Sequence, residues 1–179
     1  MRVISGILKG RVLKSPEGIR PLTDMIKEAI FNILQTEEWE KLSVLDLFSG
    51  SGNFGIEALS RGAKSVVFVD KNPKSKAFIE KNLGCNEFDY RILIGDVFNI
   101  VKKLFKKGLK FNIIFADPPF NLFLGNKILE ELVANNLVEK KGLIILRLRD
   151  KELVNLPSGF DVNNRKYGDS VVYFLRKID

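Results

Sequence analysis

Two short motifs of the sequence carry side chains whose types and spacing are suited to chemistry. In the first, residues 46–55, the glycines follow the spacing G-x-G-x-x-G, and Asp70 comes 20 residues after Gly50. This pattern is typical of a nucleotide-binding loop between a strand and a helix, with an acid that bonds the ribose hydroxyls. A tight turn with no ligand is the alternative. The loop residues that we expect to contact a ligand are Asp46, Phe48, Gly50, Ser51 and Gly52.

The carboxylate of Asp46 distinguishes between two classes of ligand. A dinucleotide places its pyrophosphate on the N-terminus of the helix, where a carboxylate at the mouth of the loop would repel it. S-adenosylmethionine has no phosphate and carries a sulfonium and an ammonium group, which a carboxylate attracts. Asp70 would accept hydrogen bonds from the ribose hydroxyls, and Asp96 from the adenine amino group. The three acids therefore favour S-adenosylmethionine as cofactor, although each alone, Asp96 above all, is also explained as a helix cap or turn residue.

The second motif, Asp117-Pro118-Pro119-Phe120, follows an apolar strand. Its prolines fix φ and remove two N–H donors, which holds the Pro118 carbonyl in a stiff turn. An exocyclic base amine is a poor nucleophile, because its lone pair is delocalised into the ring. The Asp117 carboxylate and the Pro118 carbonyl could accept its two hydrogens and aim that lone pair at a methyl group, while the base stacks on Phe120. A plain proline stop after a strand is the alternative.

The composition excludes several other kinds of active site. The chain of 179 residues contains no histidine and one cysteine, Cys85. This excludes Ser-His-Asp and Cys-His catalysis, an intramolecular disulfide and a multi-cysteine zinc site, and we expect no metal. The net charge of +7 favours an anionic partner, RNA or DNA first. No stretch approaches the ~18 apolar residues of a membrane span and no signal peptide is recognised, so we expect a cytoplasmic protein without a membrane partner.

Strands and helices alternate from residue 43 onwards, and both motifs follow predicted strands. The strands are short apolar runs with little polar alternation, as expected for a parallel sheet covered on both faces: Ser43–Phe48, Ser65–Asp70, Arg91–Ile94, Phe111–Asp117 and Gly142–Arg149. The helices predicted between them are Phe54–Arg61, Pro73–Leu83, Val97–Lys107 and Leu124–Asn136. Gly168-Asp169 joins two further strands, Phe160–Tyr167 and Ser170–Lys177, in a hairpin. The predicted fold is α/β, a Rossmann-like, seven-stranded, mostly parallel doubly wound sheet with an antiparallel C-terminal hairpin.

The first 21 residues predict a small basic β-hairpin arm that adds little to the core. Its strands, Arg2–Ser5 and Arg11–Leu13, flank a turn at Lys9-Gly10. We divide the chain into this arm, residues 1–21, and a domain of residues 22–179. The first helix of that domain is predicted to begin at Thr23 or Asp24 and to end near Gln35, with Ile26, Ile30, Ile33 and Leu34 facing the core. The basic side chains of the arm are Arg2, Lys9, Arg11 and Lys14, and a solvated hairpin without a partner is the alternative.

A second group of basic residues lies on one predicted helix. The spacing places its lysines on the exposed face, with Val101, Leu104 and Phe105 turned inward. We interpret this group as a solvated face first and an RNA contact second. Its members are Lys102, Lys103, Lys106, Lys107 and Lys110.

Both motifs resemble those of class I S-adenosylmethionine-dependent amino-methyltransferases, in which they look like motifs I and IV. A closer resemblance, to the RsmD family, extends over nearly the whole chain. The segments that carry it are Met1–Gly6, Lys9–Arg11, Arg20–Asp24, Glu28–Leu34 and Lys166–Gly168. Enzymes of that family methylate N2 of a guanine in bacterial 16S ribosomal RNA.

The resemblance implies a class I methyltransferase fold, S-adenosylmethionine as cofactor and an amine-binding role for residues 117–120. It implies that the arm contacts RNA, mainly phosphates, which positions an enzyme without reading sequence. The implied partner is 16S ribosomal RNA in an assembling or assembled small subunit, and the implied state is a monomer. Further cofactor contacts are implied for Arg20, Thr23, Lys71, Asn72 and Val97.

Other functions remain compatible with these motifs. DNA adenine-N6 and protein glutamine-N5 methyltransferases share a similar Asp/Asn-Pro-Pro-aromatic element, but the basic arm and the short chain favour RNA. From other classes, a nucleotide-binding dehydrogenase would bind NADH, and a non-catalytic RNA-binding module would transfer no methyl group.

Overall fold

The computed structural model describes residues 1–15, 22–85 and 87–178, and a seven-stranded sheet forms its centre. The strands are β1 (Ser43–Leu47), β2 (Ser65–Asp70), β3 (Tyr90–Ile94), β4 (Phe111–Ala116), β5 (Val138–Arg149), β6 (Phe160–Tyr167) and β7 (Ser170–Lys177). The helices are α1 (Asp24–Ile33), α2 (Asn53–Ser60), α3 (Lys74–Leu83), α4 (Val97–Lys106) and α5 (Gly125–Ala134), with a 3₁₀ turn at Trp39–Lys41. The strand order is β3-β2-β1-β4-β5-β7-β6, parallel except for β7, which runs antiparallel to both of its neighbours.

Helices cover both faces of the sheet, which explains why its central strands are apolar without alternation. In β4, Ile113 and Phe115 belong to the core on the face covered by α1, α2 and α3. The alternate residues Ile114 and Ala116 belong to the core on the other face, under α4 and α5. Both clusters are continuous and consist of buried apolar residues, so the loops that follow β1 and β4 start from a rigid platform.

The predicted strands from residue 43 onwards and the C-terminal hairpin are confirmed, with small differences at their ends. β5 begins at Val138, four residues before the predicted start, where the pairing with β4 shifts register near Phe111. Thr23 caps α1, because its side chain accepts a hydrogen bond from the Ile26 N–H. Two inward positions were wrong: Ile33 is 46% and Phe105 48% exposed, since each lies one position beyond the buried stripe of its helix.

The N-terminal arm packs against the core, contrary to the expectation that it adds little there. Among its described residues, one antiparallel bridge joins Arg2 to Val12, and the predicted strands Arg2–Ser5 and Arg11–Leu13 do not form beyond it. Backbone hydrogen bonds accompany the bridge, such as that from the Val3 N–H to the Arg11 carbonyl. Three side chains of the arm, Val3, Leu8 and Leu13, are at most 5% exposed and join the cluster under α1 and α2. The predicted boundary at residue 21 lies outside the described residues, and the two-part division stays a prediction.

A buried ion pair, which the sequence did not reveal, fastens the arm to α1 and α2. The Lys27 ammonium lies 3.2 Å from Glu57 and donates to the Asn53 side chain and to the Arg2 carbonyl. Glu57 also accepts from two arm backbone N–H groups, at Ile4 and Ser5. Burial lowers the pKa of Lys27, and the adjacent Glu57 carboxylate opposes that shift. The arm is thus attached to the helix that follows the glycine loop.

Candidate active site

The glycine loop forms a tight turn between β1 and α2, and much of its backbone has the left-handed conformation that favours glycine. Phe48, Gly50 and Gly52 have φ of 58°, 52° and 80°, a left-handed conformation that disfavours side chains. Gly55, in the first turn of α2, lies so close to β2 that a Cβ there would be 2.3 Å from the Phe68 ring. The loop therefore keeps the N-terminus of α2 close to the carboxyl ends of β1 and β2.

Asp70, the last residue of β2, is bonded to the backbone on both sides. One carboxylate oxygen accepts from the Gly50 N–H and the other from the Asn72 N–H, each at 2.7 Å. These bonds hold a half-buried carboxylate beside the loop, where each oxygen retains a lone pair for a further donor. Paired hydroxyls, such as those of a ribose, suit such a group.

The sequence had led us to expect Asp46 at the mouth of the loop, but this residue lies beneath the loop. It is 1% exposed and accepts a hydrogen bond from the Gly55 N–H at 2.9 Å. Burial raises the pKa of Asp46 to about 8, and the negative charges of Asp117 and Asp70 add to the shift, while the Gly55 bond opposes it. A cation close to Asp46 would favour its ionised form.

Asp46 also lines a small cavity of about 70 Å³ under the loop, together with Ser49 and Ser51. The Ser49 hydroxyl is buried there and has no hydrogen-bond partner among the described residues. A buried hydroxyl without a partner costs free energy. A carboxylate and an unsatisfied hydroxyl are the groups that a small ammonium-bearing ligand would satisfy, so this donor set fits the amino acid end of S-adenosylmethionine.

The Asp117–Phe120 motif turns away from the end of β4 next to Asp70 and the glycine loop. Pro118 is buried, whereas Asp117 and Phe120 are partly exposed. Arg147 on β5, which the sequence analysis missed, donates from Nη1 to an Asp117 carboxylate oxygen at 2.8 Å. The same guanidinium lies 5.0 Å from the centroid of the Phe120 ring. One signal was visible in the sequence, since Arg147 interrupts the otherwise apolar run of residues 143–148.

A single cavity of about 480 Å³ joins the two motifs. Asp70 and the glycine loop form one part of its wall, and the Asp117–Phe120 motif and Arg147 form another. This volume suits a cofactor-sized ligand together with a planar ring. The lining residues are Phe48, Gly50, Asp70, Lys71, Asn72, Asp117, Pro118, Pro119, Phe120, Asn121 and Arg147.

Five residues predicted to contact the cofactor do not line either cavity or lie outside the described ranges. The first is Gly52, which shapes the loop but is absent from the walls of both cavities. Asp96 caps α4 by accepting from the Asn99 N–H, and Val97 is buried behind it. Thr23 caps α1, and Arg20 lies outside the described residues. Their roles in binding a cofactor stay predictions.

The basic residues of the arm differ in how free they are to contact RNA. Arg2, Lys9 and Lys14 are exposed, although Arg2 lies 4.0 Å from Asp24. The Arg11 guanidinium instead donates to the carbonyls of Asn82 and Leu83 at the end of α3. Cations at a helix C-terminus stabilise the helix. Arg11 therefore has a structural contact, and its predicted RNA contact remains a prediction.

Neither a metal-binding cluster nor a membrane-spanning helix is present among the described residues. No three acidic, histidine or cysteine side chains lie close enough within those ranges to hold a metal ion together. Among the described helices, none combines the length and apolar character needed to cross a bilayer.

Relatives and solved structures match the chain from end to end. A Bacillus subtilis protein, YlbH, provisionally described as an rRNA methyltransferase, is 37% identical over 99% of each chain. The ribosomal RNA small subunit methyltransferase D of Haemophilus influenzae is 32% identical over 98% of this chain and 92% of the relative. A solved structure from Escherichia coli, provisionally named methyltransferase yhhF, has a TM-score of 0.88 at 28% identity over 99% of this chain and 98% of that one.

The fold is thus that of a class I methyltransferase, as the sequence predicted. A family model described as conserved hypothetical protein 95 matches residues 1–176. Together with the full-length relatives, this match confirms the resemblance to RsmD: the chain belongs to the family described as conserved hypothetical protein 95.

Proposed function

We propose that this protein transfers a methyl group from S-adenosylmethionine to the exocyclic N2 amine of a guanine in 16S ribosomal RNA. The single observation that carries the proposal is the shared cavity, which joins a carboxylate-lined loop to the Asp117–Phe120 motif. Relatives named as small-subunit ribosomal RNA methyltransferases support the choice of substrate.

In this proposal the glycine loop and its acids bind the cofactor, which supplies a methyl group activated by a positively charged sulfur. Asp70 accepts from the ribose hydroxyls, and Asp46 and the Ser49 hydroxyl receive the ammonium group. Both carboxylates favour a cation over a phosphate-bearing ligand. Lys71 and Asn72 extend the wall of the cavity beside Asp70.

The second motif binds the acceptor base. Asp117 and the Pro118 carbonyl accept hydrogen bonds from the two amine N–H groups, which concentrates the nitrogen lone pair on the side of the methyl group. When the nitrogen gains the methyl group, it releases one of these hydrogens as a proton to solvent. The base stacks on Phe120 after leaving its own stack. Positioning supplies most of the rate in such a reaction, so the lack of histidine is no obstacle.

The test is labelled methyl transfer to three acceptors: small ribosomal particles and free 16S RNA from a strain that lacks the enzyme, and DNA. We expect label on a guanine N2 of 16S RNA, and the first two acceptors show which form is the substrate. Label confined to DNA or to protein, or binding of NADH in place of S-adenosylmethionine, would contradict the proposal.

A residue-level test separates the two halves of the site. Asp117→Ala should abolish most turnover and leave cofactor affinity within a few-fold. Asp70→Ala should instead weaken S-adenosylmethionine binding by roughly 1.5–3 kcal/mol, the scale of hydrogen bonds to a charged group. Calorimetry and initial rates on both variants check this, and a parallel loss of binding and turnover in Asp117→Ala would refute the amine-positioning role.

A further inference from the structure

Arg147 is a buried cation on the wall of the active-site cavity. It is 1% exposed, and it lies near the carboxyl end of β5. Because Ala116 pairs with Leu146 in parallel register, the next residues of the two strands, Asp117 and Arg147, come side by side. The sheet itself therefore places this cation against the amine-binding motif.

The contacts of Arg147 join both ends of that motif. Its Nη1 donates to Asp117, and its guanidinium carbon lies 5.0 Å from the Phe120 ring centroid. A second nitrogen, Nη2, lies 3.5 Å from the Ser170 hydroxyl. The planar guanidinium can thus fix the direction of a carboxylate and support an aromatic ring at the same time, which the flexible ammonium of lysine does less well.

Stability alone does not explain this arrangement. Charges removed from water are costly, and an apolar residue in place of a buried ion pair is often at least as stable. The Nε–H of Arg147 is buried and has no hydrogen-bond partner among the described residues, which adds to that cost. A costly cation in the reacting part of the cavity points to a role in the reaction.

We propose that Arg147 is a positioning residue, which holds the Asp117 carboxylate and the Phe120 ring in the arrangement that receives the acceptor amine. This role rests on the proposed methyl transfer. It acts through Asp117 and Phe120, so Arg147 itself forms no bond in the reaction. Its loss should misdirect the amine and leave the cofactor part of the cavity intact.

The experiment compares three single variants, Arg147→Met, Arg147→Lys and Asp117→Asn. A double variant combines Arg147→Met with Asp117→Asn. Methyl transfer to the acceptor gives kcat and KM, calorimetry gives cofactor affinity, and thermal melting gives stability. We expect Arg147→Met to lower kcat roughly 10- to 100-fold, the scale for a misplaced reacting group. Arg147→Lys should restore part of that loss, and cofactor affinity should change little.

A control breaks an ion pair of the same length at a more exposed place. Arg176 donates to Glu37 at 2.8 Å on β7, outside both cavities, so Arg176→Met should leave kcat unchanged. In the Asp117→Asn background, Arg147→Met should lower kcat much less than it does alone, because its main partner is already altered. A loss of equal size in both backgrounds, or one that only follows the fraction of unfolded protein, would show that Arg147 does not act through Asp117.

The outcomes also separate this inference from the proposed function. A wild type that methylates no 16S RNA overturns the proposed function and this role with it. An active wild type with fully active Arg147→Met and Arg147→Lys variants overturns only the role of Arg147. If Arg147→Met fails to fold, Arg147→Lys, which keeps the charge, decides by its kcat.

Discussion

At the scale of single residues, the most unusual group in the site is the buried carboxyl of Asp46. It lies under the glycine loop with one backbone donor, and burial raises its pKa from an ordinary value near 3.8 to about 8. Between pH 3.8 and about pH 8, the folded protein therefore keeps a proton that the unfolded chain has lost. In that range stability falls as pH rises, since the unfolded state binds fewer protons.

Asp46→Asn should remove this dependence. Below pH 4 the wild type and the variant should respond alike to pH, whereas between about pH 4 and pH 8 the wild type should lose stability relative to Asp46→Asn. The slope of the difference can reach about 1.4 kcal/mol per pH unit. Chemical denaturation across this range measures it, and a difference that stays constant from pH 5 to pH 8 would mean that Asp46 is ionised when folded.

Phe120 allows a test of base stacking. Stacking is worth about 1–3 kcal/mol by alanine substitution, so Phe120→Ala should cost roughly 5- to 150-fold in turnover efficiency with RNA. Cofactor affinity should barely change, and Phe120→Tyr should remain near wild type, because the side chain is partly exposed.

Thermal melting of the two Phe120 variants separates stacking from packing. If Phe120 is instead a core anchor, Phe120→Ala would lower the melting temperature and cofactor affinity together with activity. Phe120→Tyr would then be destabilised by its buried hydroxyl. A stability loss that parallels the activity loss would therefore rule out stacking.

At the scale of elements, the sheet and both motifs could be predicted from the sequence, but the partners of isolated charges could not. Continuous apolar runs reveal strands covered on both faces, as in β4, and glycines reveal the loop after β1. The ion pair between Arg147 and Asp117 depends on strand order, and the pair between Lys27 and Glu57 depends on helix packing. Neither partner can be identified from the sequence alone. Such long-range pairs leave little trace in local spacing.

The attachment of the arm to α2 gives a prediction with an internal control. Gly6 and Gly10 have φ of 81° and 86°, but a Cβ on Gly6 would lie 1.7 Å from the Ser60 carbonyl oxygen, whereas a Cβ on Gly10 would meet nothing within 4 Å. Gly10→Ala should cost about 1–2 kcal/mol of stability for the left-handed backbone alone. Gly6→Ala should cost roughly 3 kcal/mol or more, because overpacking is added.

Denaturant titration of the two glycine variants measures both free energies of unfolding. Equal losses would mean that the arm does not hold this close approach to α2 in solution. A larger loss for Gly6→Ala would confirm that the arm is part of the folded core.

At the scale of the whole molecule, the net charge of +7 reflects a surplus of basic residues, and two groups of them lie on the arm and on α4. Lys9 and Lys14 are exposed on the arm, and Lys103 and Lys106 are exposed on α4. Paired Lys→Gln variants at these two sites remove the same charge from different faces. The variants therefore compare two candidate RNA surfaces at constant net charge.

We expect Lys9→Gln with Lys14→Gln to weaken RNA binding and to flatten its dependence on salt. Each lost phosphate contact should reduce the slope of log affinity against log salt by about 0.7–0.9. Lys103→Gln with Lys106→Gln should change that slope less. Binding curves at several salt concentrations measure both slopes. A larger change of slope in the α4 variant than in the arm variant would assign the docking surface to α4.

The attachment of the arm also has a consequence for folding during synthesis. Ile4 and Ser5 donate to Glu57, 53 and 52 residues later, and Lys14 and Arg11 find their partners 68 and 72 residues away. Synthesis proceeds from the N-terminus. The arm therefore emerges from the ribosome before α2 and α3, and its bonds to each of these helices can form only after that helix has been made.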